Sequence, residues 1–222
     1  MQSAQPNEKA LGDLPEWNLS DLYPAPDAPA LAKDFEGASR DCSAFSAEYR
    51  GKLAEIASGA GAARKLYEAV RRYEALEDLL GRIMAYASLL HAGDVTDPAR
   101  GKFYADTRDN IVSASTQLLF FQLELNRLDD ALLDRLAQEA PLSHYRPWLE
   151  DIRKEKPHEL EEKIEELFHE KSTTGSSSWN RLFDETIASL RFSVAGEELS
   201  IEQTLNLMQD ARRETRRDAA LA

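Results

Sequence analysis

Apolar side chains recur every three or four positions along much of the chain, which is the spacing of one face of an α-helix. The first such series runs from Leu31 to Ile56 and predicts one helix, which the glycine-containing loop at 58–61 ends. The second runs from Leu66 to Leu90. Gly93 is expected to close this second helix in a left-handed turn, since glycine adopts that conformation without a steric cost.

A third long helix is predicted to begin at Asp97-Pro98, because an acidic cap followed by proline is a common helix start. It carries apolar residues from Phe103 to Leu125. Its middle, Leu118–Leu123, is apolar nearly all round and should be deeply buried. A short turn joins the second and third helices, so we expect them to form an antiparallel pair.

The second half of the chain is predicted to contain shorter elements. Two helices are expected at 129–138 and 143–154, separated by Pro141, and a third begins at Pro157, ends at Lys171 and carries Leu160, Ile164, Leu167 and Phe168 on one face. After a loop at 172–178, a further helix carries Trp179, Leu182, Phe183, Ile187 and Leu190. A glycine-turn hairpin at 191–199 and a helix that begins with a Ser200/Gln203 capping box follow.

The predicted fold is all-α, an antiparallel helical bundle lobe with long paired helices and one small β-hairpin near 191–199. Four parts are expected: a disordered N-terminus at 1–12, an extended docking arm at 13–29, the long-helix bundle at 30–140, and shorter helices plus the hairpin at 141–222. Four prolines keep the arm out of a helix, and its aromatic residues Trp17 and Tyr23 are expected to dock. Residues 209–222 are good helix formers without an end signal, which suggests a piece of a longer chain.

Composition and charge exclude several classes of protein. The 222 residues are 42% hydrophobic and 30% charged, as in ordinary globular proteins. A net charge of −13 disfavours binding to nucleic acid, whose phosphates it would repel. The N-terminus lacks the basic start and following apolar run of a secretory signal. No apolar stretch is long enough to cross a membrane. A single cysteine fits a reducing compartment, so we expect a cytoplasmic protein.

Two His-Glu pairs resemble the start of a zinc-peptidase motif. In H-E-x-x-H, two histidines four positions apart bind one zinc and the glutamate activates water. Thr173 stands four positions after His169-Glu170, and Glu162 stands four positions after His158-Glu159. Each pair therefore lacks the second imidazole, and a solvated helix face is the interpretation that local chemistry favours over a metal site.

The other reactive side chains also receive structural interpretations. Cys42 lies on an apolar helical stripe, so we expect a buried thiol rather than a nucleophile. His91 at a helix end and His144 near Trp148 have no potential ligands beside them. Four arginines could form an anion site, but acidic residues alternate with them and ion pairs on a helix surface are the preferred interpretation; they are Arg212, Arg213, Arg216 and Arg217. No catalytic, cofactor-binding or metal-binding residue is assigned in this chain.

Three stretches together resemble the N-terminal part of oligoendopeptidase F, in the thimet-oligopeptidase-like group of zinc metallopeptidases. They are LPEWNLSDLYP at 14–24, YEALEDLLGRIMAYASLLHAGDVTDP at 73–98, and KPHELEEKIEELFHEKSTTGSSSWNRLFDETIASLRFSVAGEELS at 156–200. Their order and spacing carry the resemblance, which runs from about Leu14 to the last residue.

The resemblance implies a helical, bilobed enzyme that hydrolyses short peptides in a deep groove. Zinc in such enzymes is held by an H-E-x-x-H motif and a further glutamate, which lie in a C-terminal catalytic region that this chain does not reach. The metal would therefore be bound by residues outside this chain, and the chain alone should be inactive. The implied partners are an oligopeptide substrate and the missing catalytic region, and the resemblance implies that 141–222 stops before the catalytic zinc domain.

A free-standing helical binding or scaffold protein is the alternative. Long amphipathic helices without a catalytic constellation would also fit that class, and likeness of fold alone does not fix a function. An H-E-x-x-H helix encoded in frame after Ala222 would favour the peptidase, whereas a stop codon there would favour the scaffold.

Overall fold

Helices make up most of residues 17–222, the part of the chain that the computed structural model describes. The all-α prediction with one small hairpin is confirmed. The predicted disordered segment 1–12 and the first residues of the predicted arm, 13–16, lie outside the described residues. The elements are α1 Pro29–Tyr49, α2 Leu53–Ser58, α3 Ala62–Gly93, α4 Pro98–Thr116, α5 Leu119–Arg127, α6 Asp130–Leu136, a 3₁₀ turn Leu142–Tyr145, α7 Arg146–Glu155, a 3₁₀ turn Lys156–His158, α8 Glu162–Lys171, α9 Ser176–Ser189, β1 Phe192–Val194, β2 Glu197–Leu199, α10 Ile201–Leu207 and α11 Arg213–Leu221.

The long helices α3 and α4 pack side by side as the predicted antiparallel pair. Asp97 caps α4, since its side chain accepts a hydrogen bond from the backbone N–H of Ala99 at 2.7 Å. The end of α3 meets the start of α4, where the rings of Tyr86 and Phe103 lie 6.1 Å apart. This pair forms the framework on which α1 and α5 are placed.

The main hydrophobic core lies between α1, α3 and α5 and is built on aromatic rings. Phe45 on α1 is fully buried, and its ring centroid lies 4.8 Å from that of Tyr49 and 5.1 Å from that of Phe121. Tyr73 stacks on Phe121 at 4.9 Å, and Phe120 completes the cluster. The predicted deep burial around Leu118–Leu123 is therefore correct for the side chains that point into this core.

The first predicted helix is wrong in one respect, because the chain breaks between α1 and α2. Gly51 has a φ of 78°, a left-handed conformation that glycine adopts readily and that ends the helix. Glu124 on α5 accepts hydrogen bonds from the backbone N–H groups of Gly51 at 2.6 Å and Leu53 at 3.4 Å. The apolar spacing nevertheless continues across the break, so Tyr49 and Leu53 are both buried.

The third predicted helix is also two helices, α4 and α5. The hydroxyl groups of Ser115 and Thr116 donate to the backbone oxygen of Val112, at 3.3 and 2.8 Å. Such side-chain bonds compete with the helical ladder and bend helices. The backbone N–H of Leu118 then bonds to the oxygen of Ser115, three positions back, and the helix restarts after this tightened turn.

The predicted left-handed turn at Gly93 is not present. Gly93 is the last residue of α3, and Asp94 follows in an extended conformation with a φ of −157°. Asp94 accepts hydrogen bonds from the backbone N–H and the hydroxyl of Thr96 at 2.9 and 2.7 Å. This local turn of an acidic side chain replaces the glycine turn as the helix end.

Two boundaries in the second half also differ from the prediction. Pro157 lies within a short 3₁₀ turn, the chain is extended at Glu159 and Glu161, and α8 begins at Glu162. The predicted loop at 172–178 is shorter, because its last three serines form the first turn of α9. Serine is well suited to that position, since its hydroxyl can bond to nearby backbone groups, as Ser178 does to the oxygen of Thr173 at 2.6 Å.

A second, small hydrophobic cluster holds the hairpin against the last helix. Val194 and Leu199 from the two strands pack with Ala219 of α11. The hairpin turns at Ala195 and Gly196, whose φ values of 53° and 89° are those of a tight two-residue turn. The predicted capping box at Ser200 is confirmed. The division of the chain at residues 140 and 141 stays a prediction.

Within the predicted arm, Tyr23 is the aromatic residue that docks. It is buried beside Tyr86, donates a hydrogen bond to Asp34 at 2.7 Å, and accepts one from Arg82 at 3.1 Å. Trp17 is 75% exposed and does not dock within the described residues. Tyr23 thus attaches the arm to α1 and α3, and Leu19 and Leu22 of the arm also pack against the core.

Candidate functional site

A cleft of about 670 Å³ opens between α3, the α4–α5 break, and the segment from the end of α7 through α8. Its volume is in the range of small-ligand sites, which run to roughly 300–1,000 Å³. Its apolar lining consists of Leu80, Met84, Ile111, Leu118, Leu119 and Leu123. Its polar lining consists of Tyr73, Glu77, Ser115, Gln122, Glu155, His158, Glu159, Glu165 and His169. We call this feature the α3–α4–α8 cleft.

The charge of this cleft is negative. Four glutamates line it, and the described residues contribute neither Lys nor Arg to the lining. Glu77 is exposed on α3 and lines the cleft, where partial desolvation, together with the charge of Asp78, raises the pKa of its carboxyl group above its usual range. Apolar walls beside uncompensated carboxylates suit a ligand that carries both apolar and cationic groups.

The cleft brings together the two histidines that the zinc comparison singled out. His158 and His169 both line it, although eleven positions separate them in sequence. Within residues 17–222, however, no three His, Cys, Asp or Glu side chains meet in an arrangement that could hold a metal ion. The described donors therefore do not fit a zinc site, and no metal chemistry is assigned to them.

His169 attaches α8 to the end of α4. Its Nε2 atom and the Oγ atom of Ser115 share a hydrogen bond of 2.8 Å. Burial lowers the pKa of His169 below its ordinary value of 6.5, and the charge of Glu170 and a backbone contact with Val112 offset this only in part. The imidazole is consequently neutral at physiological pH and forms part of the cleft wall.

The lowered pKa of His169 predicts a loss of stability in mild acid. As the pH falls through 6.5, the unfolded chain binds a proton on this residue before the folded chain does, so the free energy of unfolding decreases. The folded and unfolded chains differ by at most one bound proton at this residue, which limits the slope of the free energy of unfolding to about 1.4 kcal/mol per pH unit. Partial exposure of the ring reduces this slope. Urea unfolding at several pH values should show a shallower decrease for His169→Gln than for the natural chain.

His144→Gln is the matched control for this measurement. His144 is exposed, and its ring packs against Tyr145 in a short 3₁₀ turn. Its substitution should leave the pH dependence as it is in the natural chain. An unchanged pH dependence in His169→Gln would contradict the assignment.

The remaining sequence candidates occupy structural positions. Cys42 is fully buried, and His91 is buried with its ring stacked on Tyr104 at 5.1 Å. Arg212 pairs with Asp210 at 3.2 Å, and Arg217 pairs with Asp218 at 3.0 Å. Arg216 donates to the backbone oxygens of residues 210 and 211. These arginines therefore form ion pairs and backbone hydrogen bonds on the surface of the α10–α11 region, as the ion-pair interpretation predicted.

Glu77, Ser115 and Gln122 are among the cleft residues that were not identified from the sequence. Gln122 donates a hydrogen bond to the hydroxyl of Tyr73 at 2.8 Å and so joins two walls. Glu77 gave a weak signal, because this carboxylate directly follows Leu76, which belongs to the apolar stripe of α3. Ser115 and Gln122 carried no signal, because their role depends on the break between α4 and α5.

Comparison with known proteins agrees with the resemblance noted in the sequence. The N-terminal family model of peptidase family M3, described as Oligopeptidase F, matches residues 124–192. Oligopeptidase PepF of Bacillus subtilis is 28% identical over 96% of this chain. The chain is thus similar to members of a peptidase family. The predicted resemblance to the N-terminal part of oligoendopeptidase F is confirmed.

A solved structure supports the fold. The crystal structure of oligoendopeptidase-F from Enterococcus faecium matches 86% of this chain with a TM-score of 0.71, at 19% sequence identity. The chain spans 33% of the length of the Bacillus protein and 38% of the crystallised chain. Among the helices of residues 17–222, none combines the length and apolar character needed to cross a bilayer.

Proposed function

We propose that this chain is the N-terminal, non-catalytic lobe of a zinc-dependent endopeptidase that hydrolyses short peptides in a deep groove. The observation that carries the proposal is the match to Oligopeptidase F over residues 124–192, which include the end of α7 and all of α8, one wall of the α3–α4–α8 cleft. Zinc would be bound by residues outside this chain, since the described residues offer no fitting ligand set. When bound, zinc supplies an activated water for attack on a peptide carbonyl.

The lobe would contribute size exclusion and charge. A cleft of about 670 Å³ admits a short extended segment but not a folded domain. Its glutamates would attract peptides that carry lysine, arginine or a free amino terminus, because opposite charges raise the local concentration of a ligand. The hydrophobic lining would hold an apolar side chain beside the charged group. We place the enzyme in the cytoplasm, on the basis of the single unpaired cysteine, Cys42.

Peptide hydrolysis tests this proposal directly. The 222-residue chain should not hydrolyse a fluorogenic peptide of about eight residues in a way that a chelator abolishes, because it lacks the zinc ligands. The polypeptide extended by the downstream sequence of its gene should hydrolyse that peptide and should lose activity with the chelator. Chelator-sensitive hydrolysis by the 222 residues alone, or none by the extended polypeptide, would contradict the proposal.

A binding or scaffold protein remains the second candidate function. The observation in its favour is the set of exposed apolar side chains on α8 and α9, which include Phe168 and Trp179 at 63% and 70% exposure. Such surfaces commonly bind other proteins. A stop codon directly after Ala222 would support this candidate, and an in-frame H-E-x-x-H helix would eliminate it.

A further inference from the structure

Exposed large apolar side chains are concentrated in one part of the molecule. Among the described residues, all of them except Trp17 lie between Leu160 and Leu221. Six of them lie on two consecutive helices and are named here the α8–α9 apolar surface: Ile164, Leu167, Phe168, Trp179, Leu182 and Phe183. Their exposed fractions range from 40% to 70%. Monomeric proteins seldom leave so many large apolar side chains in water without a partner.

The polar side of α8 faces the rest of the described protein. Glu162 and Glu166 each accept a hydrogen bond from Arg50, at 3.0 and 3.1 Å. Glu162 also pairs with Arg127 at 3.6 Å, and His169 bonds to Ser115. Charged and polar contacts, rather than apolar packing, therefore hold this helix against α1 and the α4–α5 region.

The apolar side of α8 points the other way. Each residue of a helix is rotated by about 100° from the one before it, so residues 164, 167 and 168 lie opposite residues 162, 166 and 169. A surface helix ordinarily buries its apolar stripe and exposes its polar side. The reversed orientation of α8 leaves the apolar stripe free to contact something beyond the described residues.

The relatives supply a covering segment of suitable size. PepF is about three times as long as this chain, since the chain spans 33% of it, so a protein of that length has two thirds of its polypeptide available to cover such a surface. A second copy of the chain is a poorer occupant, because two molecules that each carry a net charge of −13 repel each other.

The geometry points to the α8–α9 apolar surface as the interface on which the remaining two thirds of the intact polypeptide is seated. This inference rests on the proposed function and names the partner surface within it. α8 then has two roles: its polar side forms a wall of the α3–α4–α8 cleft, and its apolar side is the junction between the two parts of the enzyme.

Thiol labelling tests the inference at single positions. The natural Cys42 is fully buried, so an introduced cysteine is the reactive one. Leu167→Cys and Leu182→Cys should react quickly with a maleimide in the 222-residue chain and at least about tenfold more slowly in the polypeptide extended by its downstream sequence, because an interface excludes the reagent. Ala60→Cys, at an exposed loop tip after α2, should react at similar rates in both.

Each outcome decides the inference. Equal labelling of Leu167→Cys in the short and extended polypeptides would overturn it, and an extended polypeptide that still hydrolyses peptides would then leave the proposed function intact. If the introduced cysteines of the 222-residue chain react more slowly with the maleimide as the protein concentration rises, self-association covers the surface, and this result would also overturn the inference. Protection in an extended polypeptide without peptidase activity would support the interface while contradicting the proposed function. A gene that ends after Ala222 would overturn both.

Discussion

Phe45→Ala should lower the free energy of unfolding by about 3–5 kcal/mol, the usual cost of removing a fully buried phenylalanine ring. Phe45 is 0% exposed, and four aromatic neighbours surround it. Its ring centroid lies 5.1 Å from Phe121 on α5 and 6.2 Å from Tyr73 on α3. The substitution would therefore leave a cavity where three helices meet, and the rigid rings around it could close that cavity only in part.

Urea unfolding followed by circular dichroism measures this effect, and Phe168→Ala is the matched control. Phe168 on α8 is 63% exposed, so the same change of side chain there should alter the stability of the 222-residue chain by no more than about 0.5 kcal/mol. Equal effects of the two substitutions would mean that the core is not centred on Phe45.

The Cys42 thiol should react about a thousandfold more slowly with a maleimide at pH 8 in the folded chain than in the unfolded chain. Burial, with smaller contributions from the charges of Glu77 and Asp41, raises the pKa of Cys42 from 9.0 to about 12. The thiolate is the reactive species, and each unit of pKa lowers its fraction about tenfold at a pH below the pKa. Complete exclusion of the side chain from solvent slows the reaction further.

The rate should rise in proportion to the unfolded fraction as denaturant is added, because reaction requires opening of α1. In the chain that carries Phe45→Ala, reaction should accelerate in step with the lost stability. An introduced cysteine in a Cys42→Ala, Ala60→Cys chain provides the exposed reference. A natural Cys42 that reacts as fast as this reference under native conditions would refute the buried position.

The long helices were predictable because the apolar side chains whose spacing indicates a helix are also the side chains that pack into the core. Apolar residues at helical spacing in α1, α3 and α5 are the ones that fill the core. The breaks at Gly51 and at Ser115-Thr116 were not predicted, since the apolar spacing runs on through both. Their causes are a left-handed glycine and side-chain bonds to the oxygen of Val112, which change the backbone without changing the hydrophobic pattern.

The candidate site was less accessible to sequence reasoning than the fold. The cleft is assembled from residues as distant as Glu77 and His169, and it forms only after the break in the third predicted helix has placed Ser115 against α8. The apolar stripe of α8 was visible in the sequence, but its direction was not. Periodicity identifies the two sides of a helix, and only tertiary contacts, here those of Arg50, decide which side faces inward.

The ionic attachment of α8 makes one wall of the cleft responsive to dissolved salt. The side chains of Arg50 and its two glutamate partners are 25% to 37% exposed, so counterions reach them. At physiological ionic strength, electrostatic interactions in water are already screened over about 8 Å, and more concentrated salt shortens that distance. The aromatic core behind α3 has no such dependence. Raised salt should therefore weaken the ionic part of the attachment of α8, while the hydrogen bond between His169 and Ser115 is left in place.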